Sequence, residues 1–246
     1  MINESFFLGL PENFKGKCKV YPPKVKDIVD DRFGAYQKLL TLSQEELEDM
    51  YNEKNIQVDK FPSVIEYLFG NAYNDKKFEE VLKEAFEFFI RDEVTFLFEE
   101  KKILVGNLKK ELKRVKNVNE LIIIDEEDFF ELQNLIRESL GSKKVEKPDP
   151  NEHPKIRAMK AKARYRDRVK AQSGKGISLS TTLSSICCMG LGITPLNIGE
   201  LSYCAVGEIM SRYREKSKYE LDIESLLAGA DSKKIKPKDW IRNLDD

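Results

Sequence analysis

A chain of 246 residues with 41% hydrophobic content, including 14 Phe and 9 Tyr, can build one large core or two modest ones, which excludes a wholly disordered class. Its charges nearly cancel to a net −1, but residues 151–246 carry +6 and residues 1–150 carry −7, a split that suits docking to a charged partner and argues against wholesale DNA coating. Cys18, Cys187, Cys188 and Cys204 lack a metal-ligand spacing, the first residues lack the regions of a signal peptide, and no apolar run reaches about 18 residues, so reduced buried thiols, a cytosolic setting and no membrane are expected.

The first unit, residues 1–141, is predicted to be α+β. Phe6-Phe7-Leu8 and Cys18-Lys19-Val20-Tyr21 are short aromatic or β-branched runs bounded by Gly and Pro, which favours strands or extended segments. A helical pattern starts at Val25 and Ile28 and continues, with a break near Gly34, to Leu40. Ser43 with Glu46 forms a capping box for a helix over 44–51, and Pro62 lies near the start of the next. Asp75 caps a longer helix whose stripe includes Phe78, Leu82, Ala85 and Phe89. Residues 93–99 and 102–105 pair as a hairpin around Glu99-Glu100-Lys101. Leu121 to Ile124 is a buried strand, followed by an acid-started helix that Gly141 ends.

Residues 142–154 are polar, with prolines at 148, 150 and 154, and read as a linker. The second unit, 155–246, is predicted to be an all-helical interaction unit, which makes the whole α+β but mostly helical. A basic helix covers 155–172, in which Lys155, Arg157, Lys160, Lys162, Arg164, Arg166, Arg168 and Lys170 are opposed only by Asp167. Residues Ile177 to Ile198 then carry no charge at all. Three helices are expected there, over 178–189, over 197–216, and around Leu221 to Leu227, closed at Gly229. The tail is extended at Pro237 and holds the chain's one tryptophan, Trp240.

Catalytic chemistry finds little purchase in these residues. His153 is the one histidine and precedes a proline, which leaves Ser and Cys nucleophiles without the usual base. Ser173-Gly174-Lys175-Gly176 resembles a phosphate loop, but Val169 stands where its first glycine belongs and no strand precedes it. Glu99-Glu100-Lys101 contains half of a metal-dependent nuclease pattern, which a charged hairpin tip explains equally. The chain is therefore expected to be no enzyme and to need no cofactor or metal.

Binding is the better reading. Lys160, Arg164, Arg166 and Arg168 on the basic helix are candidate partner contacts. The helix order there is that of a helix-turn-helix, but a recognition helix over 197–210 would offer mainly apolar side chains to base edges. Docking on acidic protein surfaces thus ranks above nucleic-acid binding. Leu201 and Ile209 are candidate apolar contacts beyond what so small a unit can cover, with self-association as one outlet. Lys236, Trp240 and Ile241 form either a docking strap or a packed terminus.

Several stretches resemble tail assembly proteins, including tail assembly chaperones, of long-tailed bacteriophages and prophages of low-GC Gram-positive hosts. They are Leu8-Gly9-Leu10-Pro11, Tyr21-Pro22-Pro23-Lys24-Val25, Asn197-Ile198-Gly199-Glu200-Leu201-Ser202-Tyr203, Leu226-Leu227-Ala228-Gly229-Ala230 and Lys236-Pro237-Lys238-Asp239-Trp240-Ile241. The resemblance implies a non-catalytic role in virion assembly in the host cytoplasm, with tape-measure or tail-tube proteins as partners. A structural component retained in the virion, such as a connector or baseplate piece, is the alternative within the same class.

Overall fold

The computed structural model describes residues 3–54, 56, 58, 60–107, 111, 121–147, 149, 151–172, 178–231 and 233–241, with the backbone alone at 154, 168 and 170–172. Most of the chain is helical, with two small antiparallel sheets in its first half. The first surprise against expectation is α1, Glu4–Phe7, where an extended run was predicted. Asn3 accepts from Phe6 N to start it, Gly9 ends it at φ +75°, and Phe6 becomes fully buried, so packing of one phenylalanine overrides the local pattern.

Strands β1 (Glu12–Phe14) and β2 (Cys18–Val20) form a hairpin in which Glu12 faces Val20 and Phe14 faces Cys18. The helical pattern predicted from Val25 to Leu40 is interrupted earlier than Gly34. A 3-10 turn spans Val25–Val29, the Asp30 carboxylate accepts from Arg32 N at 2.9 Å in a turn, and only then does α2 (Phe33–Leu40) begin. Helices α3 (Gln44–Glu53) and α4 (Val64–Asn74) each start with a complete capping box, Ser43 with Glu46 and Ser63 with Glu66. Asp75 caps α5 (Lys76–Ile90), whose Leu82, Ala85, Phe86, Phe89 and Ile90 are buried.

Strands β3 (Val94–Leu97), β4 (Lys102–Val105) and β5 (Ile123–Ile124) follow in sequential order, with Val94 opposite Val105 and Ile103 opposite Ile124. Helix α6 (Glu126–Ser139) is capped by Asp125, carries three acids in its first turn, and ends before Gly141 at φ +70°. The main core gathers side chains from α1 to α6 and from both sheets.

Residues 142–147 run back along α6. The Asn134 side chain accepts from Val145 N at 2.9 Å and donates to Val145 O at 3.0 Å, while Lys144 pairs with Glu138 and Lys147 with Glu127. Helix α7 (Pro154–Gln172) and α8 (Leu179–Cys188, capped by Ser178) follow. The two helices expected over 197–216 and around 221–227 are one. A 3-10 turn at Ile198–Glu200 leads to Ser202, which caps α9, and α9 runs unbroken from Tyr203 to Leu227. No Gly or Pro stands between Lys216 and Leu221, so propensity gives no reason to stop there.

Candidate protein-docking surface

Among the described residues, two kinds of contact hold the second half of the chain to the first. One is a seam of backbone and apolar groups. Val25 N donates to Leu201 O at 2.9 Å and Tyr203 N to Pro23 O at 2.8 Å, an isolated antiparallel bridge centred on Lys24 and Ser202. Ser202 Oγ donates to Phe7 O at 3.1 Å. Tyr203 meets the Phe33 ring edge-on at 5.9 Å, and the Cys204 side chain enters the main core. Gly141 lies so close that an added Cβ would stand 3.3 Å from Cys204 Cα.

Beside the seam, Val25, Ile186, Ile198 and Val206 form a second apolar cluster, against which Leu183, Cys187, Met189, Ile193, Leu201, Ile209 and Met210 pack partly buried. Both candidate apolar contacts, Leu201 and Ile209, thus pack within the molecule. Above them Glu200 accepts from Lys24 at 2.7 Å and Lys26 at 2.6 Å, and these two lysines hold its carboxyl at about 2, well below the usual range.

The other contact is ionic. On α7, Arg164 Nε and Nη2 reach the two Asp49 oxygens at 2.9 and 3.2 Å, and Nη1 reaches Glu45 at 2.5 Å, both acids lying on α3. The Arg164 side chain is 24% exposed and that of Asp49 only 11%, so this fork is partly withdrawn from water. Hydrogen bonding to Asp49 raises the arginine's pKa further, against the cost of burial. Lys160 closes on Glu152, within the same stretch of chain. Arg166 is exposed, and the Arg168 side chain lies outside the described residues. The apolar positions of α7 are outside: Ile156, Met159, Tyr165 and Val169 are all exposed, Met159 by 72%.

The tail folds back on α9. Arg212 donates to Trp240 O at 3.1 Å and the Lys216 ammonium lies 5.9 Å from the centre of the Trp240 ring. Trp240 is half-buried there, while Lys236 is exposed and Ile241 is 72% exposed. The three tail candidates are therefore split between packing and solvent.

Other sequence candidates resolve simply. Lys101 sits in the hairpin turn at φ +54° and pairs with Glu66 at 2.5 Å, and among the described residues no three His, Cys, Asp or Glu come together to hold a metal. The Gly174-Lys175 stretch lies outside the described residues. Of the four thiols expected to be buried, Cys18 and Cys204 are, but Cys187 is only partly covered and Cys188, at the end of α8, is exposed. Burial pushes the Cys18 thiol up to about 12. No helix among the described residues is long and apolar enough to cross a membrane.

Sequence reading missed the acids on α3 that receive Arg164, because nothing local marks Glu45 and Asp49 as partners of a residue more than a hundred positions away. It also missed a cleft of about 420 Å³ between the N-terminal ends of α3 and α4 and one side of α6, lined by Ser43, Ser63, Val64, Phe129, Gln133 and Arg137 among others.

Residues 169–245 match a family described as the YomV second domain, which is phage-associated. The match begins at Val169 in α7 and takes in α8, the seam, α9 and the tail. This part of the chain is therefore similar to a phage protein. No curated protein and no solved structure matches the chain.

Proposed function

We propose that the chain is a non-catalytic phage tail morphogenesis factor, a chaperone-like binder of the tape-measure protein or of tail-tube subunits. One observation carries the binding part of this reading. Helix α7 is fastened at its middle by the Arg164 fork and leaves Ile156, Met159, Tyr165 and Val169 outside, among exposed Lys155, Arg157, Lys162 and Arg166. A helix that displays apolar and basic groups together fits a partner helix that is apolar on one face and acidic at its margins. The phage-associated match over residues 169–245 and the resemblance to tail assembly proteins support the biological setting.

Co-expression with the tape-measure protein of the same phage tests this directly. The full chain should keep the tape-measure protein soluble and co-purify with it. Ile156→Asp with Met159→Asp should abolish the complex while leaving the chain folded. A tape-measure protein equally soluble with or without the chain would sink the proposal. Finding the chain in stoichiometric amount in purified particles would instead favour a retained connector or baseplate component.

A further inference from the structure

Arg137 is a buried cation with no carboxylate in hydrogen-bond contact among the described residues, and Glu46 acts on it only through space, favouring the charged form. It is 4% exposed, and its guanidinium donates to two neutral acceptors, Asn134 Oδ1 at 3.1 Å and Thr41 O at 2.5 Å. Buried charges are ordinarily paired, and the contrast with Arg164, which finds two carboxylates at a more exposed position, is direct. A guanidinium has five N–H groups, so donors remain. Arg137 lines the cleft between α3, α4 and α6, whose size of about 420 Å³ lies in the range of small-ligand sites. The N-terminal ends of those three helices line it too, but their caps and first-turn acids, Glu46, Glu66, Glu126 and Glu127 among them, offset the backbone dipoles, so Arg137 is the cleft's main positive group.

A second buried group narrows the chemistry. Gln133 is 2% exposed, donates through Nε2 to Leu42 O at 3.1 Å, and has no donor to its Oε1 among the described residues. It lines the same cleft as Arg137, with Val64, Ile65, Phe129 and Phe130 as apolar walls. We infer that this cleft receives a carboxylate from a peptide segment with an apolar side chain beside it: Arg137 takes the carboxylate, Gln133 Oε1 accepts the adjacent peptide N–H, and the phenylalanines cover the apolar group. Glu126 and Glu127 at the mouth oppose an anion, and Lys147, which pairs with Glu127 at 3.2 Å and lies 5.4 Å from the Phe130 ring centre, offsets part of this. The site is separate from the exposed face of α7 and does not depend on the role assigned to that helix.

The probe is N-acetyl-L-phenylalanine, compared with its amide and with octanoate, titrated into the full chain and followed by NMR of the Arg137 Nε–H and Gln133 side-chain amide signals. The acid should move both signals and bind about ten-fold more tightly than the amide. Arg137→Gln should remove that preference. Because Arg137 also clamps Thr41 O and its replacement can unfold the chain, Glu126→Gln with Glu127→Gln gives an independent arm, expected to tighten the acid several-fold. Equal binding of acid and amide, no binding of either, or no gain in the double glutamine variant overturns the assignment. Octanoate binding as tightly as the peptide acid overturns its peptide part.

Discussion

Helices α7 and α9 both return to the first half of the chain, and they do so by opposite means. The first turns of α9 arrive with backbone hydrogen bonds to Pro23 and Val25 around them and bury Cys204, Ala205 and Val206. Among the described residues helix α7 is held by the Arg164 fork, with Ile156, Met159, Tyr165 and Val169 exposed. Apolar burial is non-directional and cumulative, so the α9 attachment is insensitive to the loss of any one polar contact. An ionic fork is directional, and replacing either side removes its charge-assisted bonds at once. The difference separates an attachment spread over many apolar contacts from one that rests on few directional ones.

The largest expected effect comes from the apolar side of this comparison. Ile186 is fully buried between Val25, Ile198 and Val206, and Ile186→Ala should cost about 3 kcal/mol, by transfer and cavity terms together. Urea denaturation would show it, and exchange of α9 amides should accelerate along with those of α8. Arg164→Ala should cost less, about 2 kcal/mol, since it removes charge-assisted bonds from side chains that are only partly buried. Its exchange signature should be confined to α7, leaving α9 protected. Faster exchange across both helices would mean that the two attachments are one cooperative unit. Smaller again is Gly141→Ala, expected to cost about 1 kcal/mol because alanine at φ +70° is strained and its Cβ crowds Cys204.

What was legible in the sequence follows the same division between local and distant causes. Ser43 with Glu46, Asp75, the acid-rich start of α6 and the β3–β4 hairpin all announce themselves within a few residues, and all form as expected. The runs that misled are those decided elsewhere. Phe6 takes part in a short helix because the core has room for its ring, and α9 continues through Lys216 because nothing local stops it. The basic character of α7 was plain, but its anchor was not, since Arg164 looks like Arg166 until α3 is placed beside it. Arg137 reads locally as a favourable cation in the last turn of α6, and only the tertiary fold shows that it is buried with no carboxylate hydrogen-bonded to it among the described residues.

The smallest effect expected lies on the surface of the seam, where Glu200 bridges Lys24 and Lys26. Its carboxyl is held at about 2 by those two lysines, below the ordinary value near 4.5. A depressed folded-state pKa contributes stability that is complete above the unfolded value, so the contribution is whole above pH about 4.5 and disappears as pH falls toward 2. Glu200→Gln should therefore lower the denaturation midpoint slightly at pH 6 and not at pH 2. High salt at pH 6 should shrink the difference, because all three side chains are open to solvent. If the gap between the two proteins is the same at pH 2 and pH 6, the bridge contributes nothing and the backbone pairing of Lys24 with Ser202, together with the apolar cluster beneath, holds the seam alone.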